Sequence, residues 1–114
     1  MATTKLLEVL RPWLTAQSFG ALVGDDDVTV PLRDETGTWY QISVYSHCFC
    51  WWFTVFVSEY THGDGSVRLS KQRRWRVVRP RVLAILDSAR STIGDWMREH
   101  GATTLQENST PLHS

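Results

Sequence analysis

Leu6, Leu7, Leu10, Trp13 and Leu14 recur at spacings of three and four, the single apolar stripe of an amphipathic helix. Thr3 or Thr4 can cap its start, and Pro12 is expected to kink or split it because proline removes a ladder donor. After Gly20 and Gly24 a loop runs into Asp25–Asp27. The pattern then changes to period two. Val28, Val30 and Leu32 alternate with Thr29, Pro31 and Arg33, which predicts a short strand that Pro31 confines to a sheet edge or bulge. Asp34–Gly37 reads as a turn, Trp39–Tyr45 as a second strand, Ser46-His47 as a bend, and Phe49–Glu59 as a third strand. His62-Gly63-Asp64-Gly65 is a hairpin signal. A fourth strand follows from near Ser66 to Val78, with a break expected at 70–72. Pro80 suits the first position of a helix, and Val82, Ile85 or Leu86, Ala89, Ile93 and Trp96 or Met97 continue at helical spacing until Gly101 stops it.

The predicted order is helix, four strands, helix: an α+β fold in which a four-stranded antiparallel meander is flanked by an N-terminal and a C-terminal helix. In topology alone it resembles the compact modules of secretion chaperones and YbjN-like regulatory proteins. Residues 1–101 are expected to form one domain and 102–114, which lack periodicity, a flexible tail.

The stretch HCFCWWFTVFV, residues 47–57, is apolar at almost every position, whereas a strand lining one core needs only every second residue to be apolar. With the bend near residue 47, Tyr40, Ile42 and Val44 would share a core face with Cys50, Trp52 and Phe56. The opposite face would gather Trp39, Gln41, Ser43 and Tyr45 with Phe49, Trp51, Phe53, Val55 and Val57. Leu6, Leu10, Leu14, Leu86, Ala89 and Ile93 complete the expected core. Either helices cover both sheet faces or a partner covers the second. A partner is the reading preferred here, since aromatic side chains are enriched at interface centres.

Charge enters through its distribution, because the chain carries 12 basic and 12 acidic residues and no net charge. Basic side chains cluster at Arg68, Lys71, Arg73, Arg74, Arg76, Arg79 and Arg81, with Trp75 among them, while acidic ones crowd between Asp25 and Glu35. Arginines interleaved with tryptophan suit phosphates and bases. The preferred reading is an edge strand kept from aggregating, with nucleic acid and an acidic protein partner as the alternatives.

Chemistry is sparse. Cys48 and Cys50, read as neighbours on one face of an extended strand, lie at the edge of disulfide reach and behave as reduced, buried small hydrophobes. That fits a cytoplasmic protein. His47-Cys48-x-Cys50 lacks the spacing of a zinc site, phosphate-binding glycine motifs are missing, and no run is long enough to span a bilayer. No cofactor, metal or catalytic residue is expected, so the chain is read as no enzyme. The sequence thus points to a small regulatory or inhibitory protein, adaptor or assembly chaperone. It would bind another protein, itself as a homodimer, or both, through the aromatic sheet face. Nucleic-acid binding by residues 68–81 is the alternative.

Overall fold

The computed structural model of the chain describes residues 2–48 and 50–107. Its elements are α1 (Ala2–Gln17), β1 (Leu22–Val23), β2 (Asp27–Asp34), β3 (Trp39–His47), β4 (Trp52–Gly63) and β5 (Ser66–Val78). A 3-10 turn at Arg79–Arg81 then opens α2 (Val82–Glu99), and β6 (Leu105–Glu107) follows. All strands pair antiparallel in one sheet of order β1-β2-β3-β4-β5, with β6 also on β2. The α+β class and the antiparallel pairing agree with expectation, and the four predicted strands correspond to β2–β5 of a larger sheet. The sheet, however, has six strands rather than four, and a strand rather than the helix comes last among the described elements.

The two additional strands divide the outer edge of β2. β1 pairs with Val28 and Thr29, β6 with Leu32, Arg33 and Asp34. Gly24 N–H bonds the Asp27 carbonyl on this same edge. Alternate residues of a strand send both backbone groups to one side, so Pro31 lacks its N–H in the gap between β1 and β6. The expectation of an edge position for Pro31 is met locally. Pro12, by contrast, sits exposed within a continuous α1 and does not split it.

The expected tail from residue 102 is also different. Gly101 adopts φ 73°, its N–H bonds the Arg98 carbonyl, and Ala102 N–H bonds that of Met97. This is a Schellman cap, with Ala102 buried beside Met97. It turns the chain back so that β6 reaches β2. Residues 108–114 lie outside the described residues.

Both helices pack on the same side of the sheet. Leu6, Leu10, Trp13 and Leu14 of α1 join Val82, Leu86, Ala89, Ile93 and Met97 of α2 in one core with the sheet residues. Trp13 Nε1 donates to Asp87 Oδ1 at 2.8 Å and ties the helices together. From the sheet come Val28, Val30 and Leu32, then Tyr40, Ile42 and Val44, then Phe53, Val55 and Val57.

That last group corrects the expected face assignment. β3 and β4 pair Ile42 with Val57, Val44 with Val55 and Ser46 with Phe53. Phe53 and Val55 are therefore fully buried in the core, while Trp52 and Phe56, expected there, lie partly exposed on the other face. The cause is the turn. Residues 48–51 leave β3 at His47 and enter β4 at Trp52, and Cys48 and Cys50 take φ 50° and 67°. The two cysteines belong to this turn and not to an extended strand, and Cys48 is exposed. A one-residue slip in where the turn closes sends every side chain of the strand to the opposite face. The 62–65 turn, in contrast, is as predicted: Gly63 pairs with Ser66, and Asp64 and Gly65 have φ 51° and 75°, the type I′ requirement.

Two acidic residues organise the end of the sheet where β6 docks. Asp34 is buried, and its carboxylate accepts from Thr36 N–H at 2.9 Å, Thr36 Oγ1 at 2.6 Å, Thr38 N–H at 3.2 Å and Tyr40 Oη at 2.8 Å. Burial, then the Asp34 carboxylate, pushes the Tyr40 phenol above its ordinary value, so it stays a donor. Glu35 reaches across to Thr103 and Thr104, accepting both backbone N–H groups and the Thr103 hydroxyl. The Thr104 N–H is the main reason its carboxyl is held below the usual range. A lowered folded value means that the ionised form favours the docked strand. Its contribution is complete above the unfolded carboxylate's value and disappears as pH falls through the lowered one. Glu35→Gln should therefore destabilise the protein at neutral pH and make no difference in acid. Thermal midpoints of both proteins, measured from pH 7 downward, should converge; a constant gap would show that Glu35 acts through something other than its charge.

Candidate functional site

The side of the sheet away from the helices carries no covering element among the described residues. Four cross-strand rows define it. From β2 to β5 they read Asp27–Tyr45–Thr54–Arg76, Thr29–Ser43–Phe56–Arg74, Pro31–Gln41–Ser58–Gln72 and Arg33–Trp39–Tyr60–Leu69. His47, Trp52 and Val78 extend it at one end. Five aromatic side chains are thus set on a strand framework of serine, threonine and glutamine.

The aromatics pack against one another in the plane of the face. Tyr45 and Phe56 meet edge to face with centroids 5.6 Å apart. Trp39 meets His62 at 4.2 Å and 90°. His47 stacks on Trp52 at 4.0 Å, and the Arg76 guanidinium lies 5.5 Å from the Trp52 ring. Between them runs a polar network: Gln41 Nε2 donates to Ser43 Oγ at 2.9 Å, Gln72 Nε2 to Ser58 Oγ at 3.3 Å, and His47 Nε2 lies 3.0 Å from Thr54 Oγ1. A shallow hollow lined by Tyr45, His47, Thr54, Phe56, Arg74 and Arg76 sits where aromatic and basic residues meet. Fixed rings at low conformational-entropy cost, with polar groups already satisfied, are what a contact surface needs.

Of the surface residues expected from sequence, Trp39 and Tyr45 lie on this face. Phe53 and Val55 face the interior, Phe49 lies outside the described residues, and Trp51 occupies the 48–51 turn with 74% of its surface exposed. Trp51 adjoins the face through a depression shared with Trp52, Arg76 and Val78. Trp52, Phe56 and Tyr60 were missed as surface residues. Their alternation on β4 was visible, but so was that of Phe53, Val55 and Val57, and only the turn decides between them.

The basic run divides between the two sides of β5. Gln72, Arg74 and Arg76 belong to the open face. Lys71, Arg73 and Trp75 point toward the helices, where Lys71 Nζ meets Glu99 Oε2 at 2.7 Å and the Arg73 guanidinium covers Trp75 at 4.9 Å. The Lys71 hydrogen bond also holds the Glu99 carboxyl below its ordinary range. The register shift at Glu59/Tyr60 leaves Ser70 unpaired. This bulge turns Leu69 to the open face and Arg68 away from it, the reverse of uninterrupted alternation. Arg79 and Arg81 are exposed in the 3-10 turn. The segment is therefore no single cationic stripe.

Among the described residues no group of three or more histidines, cysteines or acids is placed to hold a metal ion, and no helix is long and apolar enough to cross a membrane. No protein family, curated protein or solved structure matches the chain.

Proposed function

We propose that the protein is a non-catalytic binding module whose contact surface is the open sheet face, and that its partner is a protein. The observation that carries this reading is the placement of both helices on one side of the sheet, which leaves Trp39, Tyr45, Trp52, Phe56 and Tyr60 together on the other. Protein rather than nucleic acid is favoured by the two tryptophans that lie among the arginines, Trp51 in the 48–51 turn being the one beside them that keeps an open ring. Trp52 has His47 stacked on it and Arg76 beside it, and Trp75 is covered by Arg73. A base needs a free ring face on which to stack. The arginines are also split between two surfaces, which weakens any one path for a phosphate backbone. A benzophenone photo-crosslinker at Phe56, with another at exposed Ser88 on α2 as control, tests the proposal in producing cells. Protein adducts concentrated at position 56 are expected. Nucleic-acid adducts at 56, or equal yields at 56 and 88, would overturn it.

A further inference from the structure

We infer that β5 is an acceptor edge for a strand of another protein, an extended acidic segment that adds to the sheet antiparallel to Ser66–Val78. The outer edge of β2 is shared between β1 and β6, whereas β5 pairs only with β4. Its 13 residues are therefore the long unpaired edge of the sheet among the described residues. The Arg79 N–H bonds the Trp51 carbonyl at 3.1 Å and continues the register that pairs Trp52 with Val78. Hydrogen-bonding direction alternates along an antiparallel strand, so Val77, Trp75 and Arg73 also turn their backbone groups to β4. Gln72, Arg74, Arg76 and Val78 turn theirs outward. In strand addition such groups supply the affinity, and the flanking side chains supply the choice of partner.

Charge selects the occupant. Between Gly65 and Leu86 the sequence holds seven basic residues and no acidic one. Two copies of this edge laid together would set arginine against arginine, and like charges directly opposite are destabilising. The strands β1 and β6 of a neighbouring copy, two and three residues long, are too short to mate with it. An acidic strand is the complement. The division of the arginines between both sides of β5, unhelpful to a phosphate backbone, is what an added strand requires, because its own side chains alternate between both faces. Residues opposite Arg74 and Arg76 fall on the open face, where carboxylates would meet the guanidinium groups. The residue between them comes opposite Trp75 and points to the helix side. There a hollow is lined by Arg73, Trp75, Ser88, Ser91 and Thr92, with Asp87 and Asp95. Asp87 already accepts from Trp13, and Asp95 is paired with Arg98, so a short hydroxyl or apolar side chain fits. The segment expected is therefore acid, small residue, acid, in extended form.

The probe is a short synthetic peptide, blocked at both ends, that alternates glutamate with threonine; its counterpart alternates lysine with threonine. Amide exchange read by NMR should slow at Gln72, Arg74, Arg76 and Val78 when the glutamate peptide is added, and the lysine peptide should leave those amides unchanged. Arg74→Glu combined with Arg76→Glu should weaken the glutamate peptide by at least about tenfold and make the lysine peptide the better ligand. Gln72→Pro changes no charge but removes an outward N–H, a substitution that an edge strand tolerates, and should weaken binding too. Circular dichroism confirms that each variant is folded. No saturable binding, equal binding of both peptides, or binding that leaves the outward amides unprotected would each overturn the inference. So would an oligothymidylate that binds β5 where the glutamate peptide does not.

Discussion

Phe53→Ala should cost about 3–5 kcal/mol of stability, and Phe56→Ala, three residues along the same strand, only about 1–2 kcal/mol. Phe53 is fully buried among the core residues of both helices and the sheet. Its truncation removes the transfer free energy of a benzyl group and leaves a cavity that strands on either side prevent from closing. Phe56 is partly exposed and packs mainly on Tyr45, so its loss removes contacts without emptying a core position. Denaturant midpoints at unchanged m-value would measure both. Equal costs, or the reverse order, would mean that β4 pairs with β3 one residue away from the register described. The contrast matters for function as well, because the same register decides which aromatics meet a partner.

Asp34→Ala should be comparably severe, about 3–5 kcal/mol. The carboxylate satisfies two backbone N–H groups and two hydroxyls in and beside the 34–38 turn. Removing it orphans the Tyr40 hydroxyl in a buried position, which by itself costs about 1–3 kcal/mol, and releases the turn that fixes how β2 meets β3. Tyr40→Phe should be milder, about 1–2 kcal/mol, and the two should not add. Once Asp34 is gone, deleting the hydroxyl removes an orphan and recovers stability. A double-mutant cycle measures this coupling. Simple additivity would show that the two side chains are not partners.

Local signals carried much of the fold. The spacing of Val82, Ala89 and Ile93 marked α2, with Leu86 rather than Ile85 and Met97 rather than Trp96 completing its buried stripe, Gly101 marked its cap, and Asp64-Gly65 marked the tightest hairpin. The irregularity near residue 70 was also legible, and appears as the Ser70 bulge. What escaped was decided by tertiary context. β1 and β6 have two and three residues, too few for alternation to register, and exist because β2 offers an unpaired edge. The register of β4 escaped for a sharper reason. From residue 52 to 57 both alternating sets are apolar or aromatic apart from Thr54, so hydrophobicity assigns neither to the core. The deciding feature is a turn in which two cysteines adopt positive φ, a conformation for which glycine or asparagine is the usual sequence sign. The open face itself was foreseen through Trp39, Gln41, Ser43 and Tyr45 of β3, but Trp52 and Phe56 of β4 were mistaken for core.

The docking of β6 also bears on the order in which the fold assembles. The contacts that hold it, such as Thr103 to Glu35, join residues 68 positions apart, and closing so long a loop is entropically slow compared with zipping the β3–β4 and β4–β5 hairpins. Those hairpins, with α2 laid on β4, form a nucleus that needs nothing beyond residue 101. β6 is then expected to add to a surface already built, after the rate-limiting step. Interactions formed that late do little to speed folding and mainly restrain escape from the native state. The short strand is therefore expected to act as a latch on the lifetime of the folded chain rather than as a guide to reaching it.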